Sequence, residues 1–318
     1  MAPVRHAKLG IALGSGSARG LAHIGILQAL AENGVEPDII AGSSIGAMVG
    51  GSYACGHIDA FSKWAGALKN GEIFRYLDLR WLAGGGMASG NRLMDYLRNN
   101  FGDCDIKDLN KPFAAVATDL LRGREVWIQD GKLWDAVRAS IAIPGVLTPV
   151  ERDNRWLIDG GVVNPVPVSL CKAMGADIII AVNLNSDLLR HRQLPQPVED
   201  QPERELATEA AAQDENEEGL LGRLTDSLRD ATESMRNQWF SGGHHQPPGM
   251  LNVMLGAINI MQDRLTRSRL AGEPADLVLS PRLSHIGLME FNRGADAIAE
   301  GRACVERMLP ALRHALEH

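Results

Sequence analysis

Long apolar runs are missing from this 318-residue chain. Nothing approaches the roughly 18 consecutive apolar residues that a membrane-spanning helix needs. The nearest stretches, Ile178 to Val182 and Leu251 to Met261, are short or broken. The four cysteines, Cys55, Cys104, Cys171 and Cys304, are scattered, with no C-x-x-C pair and no ligand cluster beside them. That spacing argues against a disulfide framework and against a zinc centre, and fits reduced thiols. Arg5, His6 and Lys8 precede only the five apolar-rich residues Leu9 to Leu13, too short for an export-signal core. A cytoplasmic protein is expected, at most peripheral to the inner face of the membrane. A positive surplus is also lacking. The net charge is −7, and residues 187 to 249 hold thirteen Asp and Glu against six Arg, so the rest of the chain is neutral. A neutral body without a Lys/Arg stripe offers nucleic acid little to hold. No clustered acidic loop has the spacing of calcium ligands, and no metal or organic cofactor is expected.

What is present is enough for a large buried core: 45% of the residues are hydrophobic. Strand-like and helix-like segments alternate over the first 185 residues or so. Strands are expected at Lys8–Leu13, Asp38–Ala41, Pro112–Thr118, Glu125–Gln129, Leu147–Val150, Trp156–Ile158 and Asp177–Asn183. Helices are expected at Leu21–Asn33, Ile45–Ala54, Ile58–Leu68, Gly90–Asn100, Leu133–Ala139 and Val166–Met174. Such alternation predicts an α/β fold with a mostly parallel central sheet covered by helices on both faces. From about 187 to 249, Gln, Glu, Pro and Ala dominate, which reads as a long, acidic, partly disordered insertion. Within it, Leu220, Leu224, Leu228, Ala231, Met235 and Trp239 lie three or four residues apart, giving one helix an apolar stripe. That stripe packs on its own domain or meets a partner or membrane. Residues 250 to 318 then supply a helix, a strand at Asp276–Leu279 and a closing helix, completing a single domain of 1–318.

Three segments carry chemistry. Gly42-Ser43-Ser44-Ile45-Gly46 is a G-x-S-x-G where a strand turns into a helix. In such an elbow the serine sits at a strained backbone position with its hydroxyl presented, and the flanking residues must be small. The helix beginning there aims N–H groups and the positive end of its dipole at the place where an oxyanion develops in acyl transfer. Gly14-Ser15-Gly16-Ser17-Ala18-Arg19-Gly20 lies between the first strand and first helix, where consecutive N–H groups can hold an anion. Its glycines do not match the Rossmann fingerprint, and no Gly-Lys-Ser/Thr follows to make a P-loop. An oxyanion loop fits better, with N–H groups around Gly16 and Ser17 and with Arg19 bracing the turn. Asp159-Gly160-Gly161 follows Trp156-Leu157-Ile158, so a carboxylate stands at a strand end.

Together these segments resemble the patatin-like phospholipase family, and most closely its compact bacterial members. Gly42 to Gly46 matches the family's G-x-S-x-G, Asp159-Gly160-Gly161 its D-G-G/A, and Ser15 to Gly20 occupies the place of its G-G-G-x-R-G. Further likeness lies in Arg19 to Gly25, Ala139 to Gly145 and Val163 to Pro167, so that it covers roughly residues 8 to 185. The resemblance implies a three-layer patatin-like fold and hydrolysis of fatty-acyl esters of phospholipids or lysophospholipids by a Ser-Asp dyad. Ser44 would be the nucleophile, Asp159 the base, and Gly16, Ser17, Ala18 and Arg19 the oxyanion loop. Ser15 and Ser17 replace two family glycines, and a positive φ at either would bring strain. A normal aspartate is a weak base toward a hydroxyl, so Asp159 is expected to be poorly solvated. The acyl pocket is expected near Ile45, Met48, Ile143 and Val146.

Two other readings stand beside this one. The order Ser44, Asp159, His285 is that of an α/β-hydrolase triad, although only one strand and a loop precede the elbow strand here. The fold alone could also serve a regulatory or scaffolding protein whose hydrolysis is weak or absent. Asp119, another strand-end carboxylate, is read as a turn-forming residue. Oligomeric state is not legible.

Overall fold

The computed structural model describes residues 7–69, 72–76, 88–187 and 250–317. By its internal contacts the chain divides into one unit of Met1–Leu194 with Leu255–His318 and a second of Pro195–Met254. The acidic insertion and its apolar stripe lie outside the described residues, so the following concerns the first unit.

Its strands are β1 (Leu9–Leu13), β2 (Ile39–Ser43), β3 (Phe113–Asp119), β4 (Arg124–Ile128), β5 (Val150–Arg152), β6 (Arg155–Asp159), β7 (Ile178–Val182) and β8 (Leu277–Leu279). The helices are α1 (Ala22–Glu32), α2 (Ile45–Ala54), α3 (Ile58–Gly66), α4 (Glu72–Tyr76), α5 (Asn91–Phe101), α6 (Leu133–Ser140), α7 (Val168–Ala173), α8 (Met250–Gly272) and α9 (Gly294–Glu317). Strands β3-β2-β1-β7-β8 form a parallel sheet, as the alternation of segments predicts. Every residue of β1, β2 and β3 is buried, because helices cover both faces. Along β1, Ile11 and Leu13 join the core under α1, α2, α6 and α9, while Ala12 joins the smaller core under α7. The result is three layers.

One expectation is corrected. The strand read at Leu147–Val150 begins only at Val150; Leu147 makes a lone bridge to Ala88, and Pro149 has no N–H to give a ladder. The short helix α4 was not foreseen.

One departure from the parallel pattern sets up the site. β3 outruns β2 and gains antiparallel neighbours, β4 on one edge and β6 on the other, with β5 beyond β6. β2 and β6 share one edge of β3 and meet head-on. Ser43, the last residue of β2, pairs with Val116, and Asp159, the last of β6, pairs with Ala117. Two strand ends therefore converge on adjacent residues of one strand.

Candidate active site

Ser44 follows directly from β2 and begins the turn into α2. Its φ of 56° lies in the left-handed region, which a non-glycine residue enters only when its surroundings impose it. Here they do. Its N–H donates to Ser140 Oγ at 2.9 Å, and Ser140 Oγ–H donates in turn to the Val116 carbonyl at 2.6 Å. Gly46, one residue into α2, sits so close to β1 that a Cβ would stand 2.1 Å from the Leu13 carbonyl oxygen. Helix, strand and serine are locked together because that position has no side chain. A Cβ on Gly42 would likewise meet the Ala47 backbone at 2.4 Å.

Asp159 faces this serine. Ser44 Oγ–H donates to Asp159 Oδ2 at 2.5 Å, and Gly161 N–H donates to Asp159 Oδ1 at 2.7 Å. The aspartate backbone is held by its N–H to the Ala142 carbonyl, 2.9 Å, and by Thr118 Oγ1 donating to its carbonyl, 2.7 Å. A Cβ on Gly160 would fall 2.1 Å from the Val116 carbonyl oxygen, so glycine is what lets the chain turn beneath the carboxylate. Asp159 is 2% exposed and Ser44 4%. Burial pushes the Asp159 carboxyl up to about 7, with the hydrogen bonds from Ser44 and Gly161 acting the other way. The sequence expectation of a poorly solvated carboxylate agrees with this environment.

The glycine-rich loop completes the enclosure. Gly14 N–H donates to the Val182 carbonyl at 3.2 Å, and Ser15 N–H to the Pro165 carbonyl at 2.8 Å. Gly14 is also fixed from below: the fully buried His23 sets Nε2 2.7 Å from the Gly14 carbonyl. Burial holds the ring down to about 4, so it is neutral and donates from Nε2. Ser15 Oγ–H donates to Gln262 Oε1 of α8 at 3.1 Å. Gly16 and Ser17 line the cavity in front of Ser44, and no described backbone carbonyl accepts from the N–H of either. Ala18 does not share that position, because its N–H is committed to the Leu288 carbonyl at 3.0 Å. Arg19 ties the loop to the segment after β8, Nε donating to the Ile286 carbonyl at 2.7 Å, and is not in the cavity wall. Gly20 packs beneath Ile45, whose Cγ2 would lie 2.0 Å from an added Cβ. Of the two serines replacing family glycines, Ser17 has a φ of 52°, the strained case, whereas Ser15 is not among the positive-φ residues.

The cavity at Ser44 and Asp159 is small, about 30 Å³, room for roughly one water. Its walls correct the expected acyl pocket. Ile143 is there, with Pro144, but Ile45 and Met48 are buried in the main core and Val146 packs against it. The remaining walls are Leu255, Ile258, Asn259 and Gln262 of α8 and the loop residues Leu288 and Met289. These late residues carry no motif; a helix face is assigned to a cavity only once its packing is known. Ser140 was likewise missed, although it lies in a segment of family likeness.

The other titratable candidates fall elsewhere. His285 is exposed, and no histidine among the described residues lines the cavity. Asp119 forms a turn, its Oδ1 accepting from the N–H groups of Leu121 and Arg122 at 3.1 and 3.0 Å.

Comparison with known proteins supplies the family. The sequence profile described as patatin-like phospholipase matches residues 11–172. Uncharacterised NTE family proteins of Mycobacterium bovis and Mycobacterium tuberculosis are 38% identical over 96% of this chain and 92% of their own length. The lysophospholipase nte1 of Emericella nidulans is 35% identical over 56% of this chain, a region that is 12% of that protein. Among solved structures, VipD of Legionella pneumophila aligns over 96% of this chain and 67% of its own at a TM-score of 0.43 and 13% identity, too loose a likeness to bear on the argument. The profile match over half the chain, and relatives alike along nearly all of it, establish that the chain belongs to the patatin-like phospholipase family of lipid acyl hydrolases.

Proposed function

We propose that this protein hydrolyses fatty-acyl esters of phospholipids or lysophospholipids with Ser44 as nucleophile and Asp159 as the base. The observation that carries the reading is the direct 2.5 Å hydrogen bond between the two side chains in a buried setting. Asp159 takes the hydroxyl proton as Ser44 Oγ attacks the ester carbonyl; the tetrahedral oxyanion then collapses, expelling the lyso-lipid or glycerophospho-alcohol, which takes up that proton. Water, deprotonated by Asp159, releases the fatty acid from the acyl-serine. A base held at about 7 is far better matched to a hydroxyl than an ordinary carboxylate. Gly16 and Ser17 N–H groups and the N-terminal turn of α2 supply donors for the oxyanion. Asp159 already uses one oxygen on Ser44 and the other on Gly161, so a histidine relay has no place between them.

Lysophospholipids are favoured among substrates because relatives carrying this region, such as the Emericella nidulans protein, bear the name lysophospholipase. An acyl ester is far larger than a cavity of about 30 Å³. The test is fatty-acid release from lysophosphatidylcholine by unmodified protein, Ser44→Ala and Asp159→Asn. Release by the first alone supports the reading; release by Ser44→Ala at the unmodified rate sinks it.

A further inference from the structure

The wall of the water-sized cavity formed by α8 is not wholly apolar: beside Leu255 and Ile258 it presents two carboxamides, Asn259 and Gln262. The hydrolytic chemistry set out above gives neither a part. Gln262 is only 6% exposed, and a carboxamide is costly to bury unless its polar atoms are used. One end is used, since Oε1 accepts from Ser15 Oγ–H at 3.1 Å. The other end faces the aspartate. A Cβ placed on Gly161 would stand 2.5 Å from Gln262 Nε2 and 2.9 Å from Asp159 Oδ1. Amide nitrogen and carboxylate therefore flank the space that a side chain at position 161 would fill, and an N–H donor turned toward an acid is the favourable orientation of the group. No acceptor among the described residues takes the Nε2 protons.

Three features of the chain hold this carboxamide in place. Arg269, two turns further along α8, binds Glu125 of β4 at 2.5 Å, so the helix that carries Gln262 is anchored to the sheet. Gly161 leaves the room that Nε2 occupies. Ser15, which stands where the family loop has glycine, is not among the positive-φ residues and so carries its side chain without strain. Its hydroxyl has a use in this chain, which is to hold Gln262 by Oε1.

We infer that Gln262 is the positioning residue for the water that deacylates Ser44, with Ser15 and Gly161 setting its carboxamide for that task. The role rests on the Ser44–Asp159 hydrolysis proposed above. Once Ser44 is acylated its Oγ has no proton to give Asp159 Oδ2, and the alcohol half of the ester has left. A water in the cavity of about 30 Å³ then donates one O–H to Oδ2 and accepts Nε2–H on one lone pair. Its second lone pair is left to bond the acyl carbon. As that C–O bond forms, Asp159 takes the water proton; as the tetrahedral intermediate collapses, the bond from the acyl carbon to Ser44 Oγ breaks and Asp159 returns the proton to Oγ. Free serine and fatty acid result. The first attack, by Ser44 itself, consumes no water, so Gln262 serves the second half-reaction alone.

The test separates the two halves on a soluble p-nitrophenyl ester, with the full-length chain carrying Gln262→Met, which keeps the length of the side chain and loses the N–H. Decay of acyl-Ser44, followed by intact-mass spectrometry after rapid mixing, should slow about tenfold, the worth of one hydrogen bond to the reacting water. The p-nitrophenol burst and fluorophosphonate labelling of Ser44 report acylation and should keep their rates. Hydroxylamine, which attacks without a positioned water, should clear acyl-Ser44 equally fast in both proteins. Ser15→Gly, which frees Oε1, should slow decay about threefold with the burst unchanged, and it decides the matter if Gln262→Met does not fold. Decay at the unmodified rate in the folded variants overturns the role of Gln262, as does a burst slowed as much as decay, which marks a merely structural residue. If the unmodified protein forms no acyl-Ser44 and releases no p-nitrophenol, the hydrolase reading fails and this role with it. Turnover through acyl-Ser44 that the variants leave unaltered overturns the role alone.

Discussion

Replacing Asp159 by Asn should abolish turnover and make the protein more stable at neutral to alkaline pH. The carboxyl is buried, and desolvation raises it from the ordinary value of 3.8 to about 7. Between those values the folded protein holds a proton that the unfolded chain has released. Folding thus takes up a proton, and this residue's contribution to stability falls as pH rises from about 4 to about 7, then stays level. The gap of roughly three pH units is worth about 4 kcal/mol. Asn keeps the shape, turning Oδ1 toward Gly161 N–H and Nδ2 toward Ser44 Oγ, and carries no charge to desolvate. Allowing for weaker hydrogen bonds from a neutral amide, the expected gain at pH 8 is about 2–4 kcal/mol, shrinking toward zero near pH 4. His23 runs the other way: held down to about 4 from 6.5, it withdraws about 3 kcal/mol as pH falls through that window. In the unmodified protein the two offset each other, and Asp159→Asn exposes the His23 slope. Urea denaturation of both proteins from pH 4 to 8 measures this. A destabilised Asp159→Asn at pH 8, or a gain independent of pH, would refute the argument that desolvation of this carboxylate is being held in the fold.

Three further outcomes follow from the same geometry. Because only ionised Asp159 accepts a proton, kcat/KM for a soluble ester should rise with pH through about 7 and level off above it; a stopped-flow or pH-stat profile checks the single ionisation. Ser140→Ala removes both the acceptor for Ser44 N–H and a donor to Val116, all buried; a loss of about 2–3 kcal/mol in denaturant, with a fall in kcat larger than any change in KM, is expected. Ser17→Gly restores glycine where φ is 52° and should raise stability by about 0.5–1 kcal/mol, read as a thermal midpoint shift, while hydrolysis is retained.

How far the sequence carried this picture depended on the range over which each feature is determined. Helix α2 begins and ends where the local pattern placed it, Ile45 to Ala54, because a glycine-flanked elbow and an apolar run are short-range signals. The parallel strands fall within one or two residues of their expected bounds, since continuous apolar residues report burial on both faces, although β2, read to Ala41, runs on to Ser43. The facing of Ser44 and Asp159, 115 residues apart, was suggested only by ordered motifs. Its physical cause, two strands meeting end to end along β3, is a matter of register that no motif encodes. The cavity wall was the least legible part. Ile45 and Met48 are apolar and near Ser44 in sequence, yet the helical turn carries them into the core. Gln262 reaches Ser15 across 247 residues, a contact fixed by the docking of α8 and by no pattern around either residue. Ala18 was grouped with the oxyanion donors by adjacency, and the Leu288 carbonyl claims its N–H instead.

The central claim is that Ser44 is an activated nucleophile. Reaction of folded protein with a fluorophosphonate, followed by mass spectrometry of its peptides, addresses it most directly. The account predicts a covalent adduct on Ser44, formed slowly or not at all in Asp159→Asn and absent from Ser44→Ala. An adduct on another residue, or no adduct on folded protein that hydrolyses lysophospholipid, would contradict it.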